Sequence, residues 1–229
     1  MGKSATVSLL DIESQLDGLL VIIGLRFVRY EKKYPGGRNR DPERVTFTEV
    51  LDEATYIVHE SLESPYLTLA SKNKIIDTLK TDPNVLVMSM SEIYKIVCFG
   101  DAPIIMHNAE RDIAHLKKAF PVLFRDGSRF DEKCKLCTHW CLTKTDVGAK
   151  FLRIYDGNIT DGNLANLVSA TRNGLSIKQE HLVRDDLVLL TELCRAIFDL
   201  DSGEFFRRTQ SQYYREPFQK ILPAVYGGC

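Results

Sequence analysis

No run of apolar residues approaches the roughly 20 needed to cross a bilayer, so no transmembrane helix is expected. Charge of one sign is not in excess either: 30 basic against 31 acidic side chains leave a formal net charge of −1 at pH 7. That balance excludes a whole-molecule field drawing in nucleic acid, so a polyanionic partner needs a local patch or bound cations. Internal repeats and low-complexity tracts are missing, which removes solenoids and biased linkers. The opening MGKSATVSLLDIE has one lysine before a short apolar run that acids soon break, a poor secretory signal. The expectation is an intracellular protein, cytoplasmic or nuclear, not secreted and with no membrane partner.

Cysteine is sparse, six in 229 residues, and without a secretory signal it is read as reduced thiol rather than disulfide framework. Cys134, Cys137, His139 and Cys141 are too crowded for paired zinc knuckles, and no second Cys/His pair follows them. Zinc at Cys134, Cys137 and Cys141 is therefore the disfavoured reading. KLCTHWCL is read instead as a half-buried helix with small apolar thiols.

What is present suits one sizeable domain: 44% of residues are hydrophobic and 27% charged. Residues 1–200 are assigned to that domain, and the aromatic, basic tail 201–229 to an added packed helix. Three strand patterns come first, ATVSLLDIE, LLVIIGLRFVRY and VTFTEVL. The polar loop EKKYPGGRNRDPER joins the last two as an antiparallel hairpin, and ATYIVHE stays open between edge strand and loop. Helical patterns follow in SKNKIIDTLKT, with Ser71 as cap, and in SMSEIYKIVCFG, with Ser91 as cap and Gly100 as stop. PIIMHN reads as a short buried strand, and AERDIAHLKKAF as an amphipathic helix that Pro121 ends. Phe130 to Leu142 fits strand or helix. GNLANLVSATRNG and VRDDLVLLTELCRAIFDL complete the helices. The class is α/β: a mixed central sheet, three antiparallel strands then parallel ones, flanked by helices.

Within that frame the acids fall in a pattern. Asp11 and Glu13 are two apart on a strand, so both point to one face. Side by side they repel and raise each other's pKa, a penalty that a divalent cation removes; the plainer alternative is a solvated strand end. The buried strand at Ile104–Met106 ends in His107 and Asn108, and the next helix carries Asp112. Open sheets build ligand sites at such strand ends, although Glu110 and Asp112 also suit a helix N-terminus. His181 and Asp186 are five apart, which places the histidine on the turn before the last helix and the aspartate inward on it.

DIE at Asp11–Glu13, HNAERD at His107–Asp112 and HLVRDD at His181–Asp186 together resemble the three motifs of the DEDDh (DnaQ-like) 3′→5′ exonucleases of the RNase H-like superfamily. The resemblance covers roughly Ala5 to Leu200. Ser14-Gln15 departs from the Thr-Thr-Gly common after the first motif, and Ala114-His115 from a more usual apolar pair. The resemblance implies an RNase H-like sheet and two-metal phosphodiester hydrolysis. Asp11, Glu13, Asp112 and Asp186 would hold two divalent cations, Mg²⁺ or Mn²⁺, roughly 3.5–4 Å apart. His181 would accept the proton of the attacking water, a task suited to a group titrating near neutrality. Ser14, His107 and Asn108 would touch the substrate, the 3′ end of RNA or DNA, with single strands favoured. The products would be 5′-nucleoside monophosphates. The competing class is a catalytically inactive nucleic-acid-binding or scaffold protein on the same fold, disfavoured because none of the acids is missing.

Lys32, Lys33, Arg38, Arg40 and Arg44 are read first as a solvated loop, since Glu31, Asp41 and Glu43 dilute them. Tyr213 and Tyr214 in the tail could stack bases, but a packing helix is the commoner role. A protein partner or homo-oligomer, and RNA against DNA, stay open at this level.

Overall fold

Strand β1, Ser4–Gln15, carries apolar side chains on both faces, and this sets the layering of the molecule. Val7 and Leu9 point one way, Leu10 and Ile12 the other, and all four are buried. A strand apolar on both sides must lie centrally and be covered twice. The computed structural model, which describes residues 4–15, 20–33, 44–58, 70, 73, 85–99, 102–133, 135–156, 158–179 and 182–200, has that arrangement.

Among the described residues the strands are β1, β2 (Leu20–Lys33), β3 (Arg44–Val58), β4 (Val85–Met88), β5 (Ile104–Met106) and β6 (Lys135–Cys137). They form one sheet in the order β4-β3-β2-β1-β5-β6. β2 runs antiparallel to β1 and to β3, while β4, β5 and β6 pair in parallel with β3, β1 and β5. The protein is therefore an α/β domain with a mixed sheet.

The described helices are α1 (Met90–Phe99), α2 (Ala109–Ala119), α3 (Arg129–Glu132), α4 (Thr138–Lys144), α5 (Asp146–Tyr155), α6 (Leu164–Thr171) and α7 (Val183–Leu200). Leu10, Ile12, Ile23 and Leu25 form a core with α1, α2 and Phe130 of α3. Val7, Leu9, Ile22 and Val28 form a second core with α4 to α7. The sheet is thus flanked by helices on both faces. None of the described helices is long and apolar enough to cross a membrane.

Several elements differ from the sequence reading. β3 runs on through ATYIV, because those residues find partners on both sides, in β2 and in β4. β4 and α5 were not anticipated; four residues of parallel strand carry too little pattern to stand out. The cap of α1 is Ser89, not Ser91. Its hydroxyl accepts from the Glu92 amide at 3.3 Å, and the Glu92 carboxylate accepts from the Ser89 amide at 3.0 Å, a reciprocal capping box. Phe130 to Leu142 is neither one strand nor one helix. It holds the end of α3, then β6, then α4, and KLCTHWCL is split because its first three residues pair with β5. Cys137 and Cys141 consequently pack in different cores. SKNKIIDTLKT lies almost wholly outside the described residues, as do Cys134, Arg38, Arg40 and the tail 201–229.

Candidate active site

Each element delivers its acid by a different geometric rule. On β1, Asp11 and Glu13 continue the Val7–Leu9 row, so they face the layer that holds α7. On α7, Val183, Asp186, Leu187 and Leu190 fall at helical spacing on the buried stripe. That stripe lies on β2, whose Gly24 is the register partner of Asp11. A Cβ at Gly24 would stand 2.0 Å from Val183 Cγ1 and 2.7 Å from Leu187 Cδ1. The missing side chain therefore lets α7 approach close enough to bring Asp186 to β1. Two residues along, the buried Arg26 fixes the same contact, donating to Thr191 Oγ1 at 2.8 Å. One carboxylate oxygen from each of Asp11, Glu13 and Asp186 lies within 4.8 Å of the others, a group able to hold a metal ion.

Gly24→Val is expected to push α7 outward, costing about 1–3 kcal/mol of stability and weakening Mn²⁺ binding through a wider Asp11–Asp186 gap. Urea denaturation and calorimetric titration with MnCl₂ check both; unchanged metal affinity would show that α7 is placed by something else.

Asp112 arrives from the opposite layer. β5 pairs with β1 at Ser8 and Leu9, so its end stops beside the acidic stretch of β1. The chain then reverses through Asn108, at φ 53° and ψ 46°, a left-handed conformation that asparagine tolerates better than most residues. The reversal starts α2 at once and leaves Asp112 buried at the sheet rim. Asp11, Glu13, Asp112 and Asp186 all line one cleft of about 240 Å³.

The cleft is electrostatically loaded. Burial, then the Asp186 and Glu13 charges, push the Asp11 carboxyl up to about 8. Burial, then Asp11 and Glu13, push Asp112 to about 9, with Arg111 acting in the opposite sense. Oδ2 of Asp11 and Oδ2 of Asp112 are both buried and have no hydrogen-bond partner. Buried carboxylate oxygens are normally satisfied by a donor or a cation, and an all-carboxylate donor set fits a metal ion.

His107 also lines the cleft, but both ring nitrogens are engaged by protein. Nε2 lies 2.7 Å from the Gly162 carbonyl and Nδ1 lies 2.8 Å from Thr138 Oγ1. Burial depresses its pKa to about 4, so the ring is neutral at pH 7. A carbonyl only accepts, so the proton sits on Nε2, and Nδ1 accepts from Thr138. His107 thereby ties the 160–163 turn to the end of β5. Gly162 has φ +62°, and a Cβ there would meet His139 Nε2 at 2.3 Å. The exposed side chain of Asn108 makes no capping bond and remains available to a ligand.

Gln179, which the sequence reading did not single out, donates from Nε2 to Asp186 Oδ1 at 2.9 Å and sets that carboxylate's orientation. Arg111 was likewise missed; it stands on the cleft wall beside Asp112. No local pattern marks Gln179, and Arg111 was legible only as part of HNAERD. His181 lies outside the described residues, and so does the side chain of Ser14. In comparisons with protein-family models, curated proteins and solved structures, nothing matches the chain.

Proposed function

We propose that this protein is a metal-dependent 3′→5′ exonuclease of RNase H-like type, cutting single-stranded RNA or DNA to 5′-nucleoside monophosphates. The observation that carries the reading is the set of four carboxylates in one cleft, two of them with a buried oxygen lacking any donor. Such a cluster is costly unless divalent cations share it, and carboxylates suit Mg²⁺ or Mn²⁺. Bound there, two such ions would supply charge neutralisation for the attacking and leaving oxygens of a phosphodiester. Asp11, Glu13 and Asp186 would hold the one, with Asp112 joining Asp11 on the other. Gln179 keeps Asp186 in its binding rotamer. His181, two positions before α7 in sequence, is assigned the proton of the attacking water.

A 5′-labelled oligonucleotide tests the reading directly. With MgCl₂ or MnCl₂ it should shorten stepwise from its 3′ end, and EDTA should stop the reaction. If matched RNA and DNA strands both survive in metal, the proposal fails; tight binding without cleavage would point instead to an inactive nucleic-acid-binding protein.

A further inference from the structure

We propose that Arg111 is the phosphate anchor of this cleft, gripping a non-bridging oxygen pair of the substrate backbone; this rests on the nuclease reading above. Arg111 is the one cationic side chain among the described residues lining the cleft. It is exposed and forms no ion pair with any described residue, although acids stand on either side of it in sequence. Its position works against its own helix. A cation in the first turn of α2 faces the positive end of the macrodipole, whereas Glu110 and Asp112 complement it. Its charge offsets the ionisation of Asp11 and Asp112 without a direct ion pair, which leaves its donors open to a ligand.

The charge of the guanidinium points to the ligand's class. The four metal-site carboxylates contribute −4 and two divalent cations would contribute +4, while a fifth acid on the lining, Asp161, is exposed and accepts from the Asn166 amide. A phosphodiester linkage adds −1, and Arg111 is the cation that the described lining offers it. The planar guanidinium also offers two parallel donors to a phosphate, which an ammonium does not. Asn108 stands three residues earlier, within reach of the same side of the first helical turn, with an unused amide. Cation and neutral amide line the cleft together with the acids. Contacts of this kind read the backbone and not the base, so Arg111 contributes affinity without sequence preference.

Fluorescence anisotropy with 5′-fluorescein-labelled oligothymidylate, in CaCl₂ at several NaCl concentrations, tests this. Arg111→Met should weaken binding about tenfold and reduce the slope of log affinity against log salt by about one. Arg111→Lys should keep the slope and recover part of the affinity. A strand with uncharged methylphosphonate linkages at its 3′ end should bind wild type and Arg111→Met alike. Thermal melting should show both variants folded, since Arg111 is exposed. If Arg111→Met leaves the salt slope intact while altering Mn²⁺ affinity measured without oligonucleotide, Arg111 is a counter-ion of the acids and the proposal is overturned. If wild type itself neither binds nor cuts the strand, the nuclease reading has failed; active wild type with an unaffected Arg111→Met defeats the anchor alone.

Discussion

Asp186→Asn is expected to lower the proposed nuclease turnover by about a thousandfold or more, because metal neutralisation at such a site is worth several kcal/mol. The substitution keeps the shape of the side chain. An asparagine oxygen still accepts the Gln179 amide that now reaches Asp186 Oδ1 at 2.9 Å. Only the charge disappears, and with it one of three carboxylates grouped within 4.8 Å. The protein should therefore melt normally in EDTA while losing the rise in melting temperature expected of wild type in MnCl₂. Retained turnover, or an undiminished response to Mn²⁺, would mean that the metals sit elsewhere.

In EDTA, raising the pH should destabilise the wild-type protein across a window from about 4 to about 9. Unfolded, Asp11 and Asp112 lose their protons near their ordinary value of 3.8; folded, they hold them to about 8 and about 9. Between those limits the folded state carries more protons than the unfolded state, so its stability falls as pH rises. Asp112→Asn removes an ionisation that burial and Asp11 oppose. It should raise the melting temperature in EDTA at pH 8 by about 5 °C, equivalent to roughly 1–3 kcal/mol in a chain of this size. At pH 5, only about one pH unit above the unfolded value of 3.8, the variant should gain much less. Divalent metal should stabilise wild type more at pH 8 than at pH 5, since it displaces protons, and the variant less at either. A metal-free melting temperature that climbs from pH 5 to pH 8 would contradict the burial of these carboxyls. Differential scanning calorimetry over that range decides it.

Part of the candidate site was legible because it rests on local periodicity. Strand alternation was enough to put Asp11 and Glu13 on one face. The helical stripe of VRDDLVLLTELC was enough to turn Asp186 inward. The apolar run at Ile104–Met106 announced a buried strand, and the polar pair after it marked a strand end. Other parts depend on contacts between distant segments. Gly24 carries no pattern of its own; its role exists only because Val183 and Leu187, about 160 positions later, lie against it. Gln179 is an ordinary polar residue until its amide meets Asp186. β4 earns its place from pairing with β3, and the split of KLCTHWCL from pairing with β5. His107 has a similar history: its sequence position suggests a ligand contact, and its two hydrogen bonds tie it to the cleft wall.

The amino-acid order alone thus determined which acids are available, which face of its own element each occupies, and the mixed α/β class of the sheet. Side-chain direction repeats every two residues in a strand and every 3.6 in a helix, so such facts are local. That Asp112, carried by a helix on one side of the sheet, enters the same cleft as Asp11, Glu13 and Asp186 on the other was decided only by tertiary structure. The parallel pairing of β5 with β1 and the close seat of α7 over Gly24 bring them together, and both are long-range packing contacts that no sequence window contains.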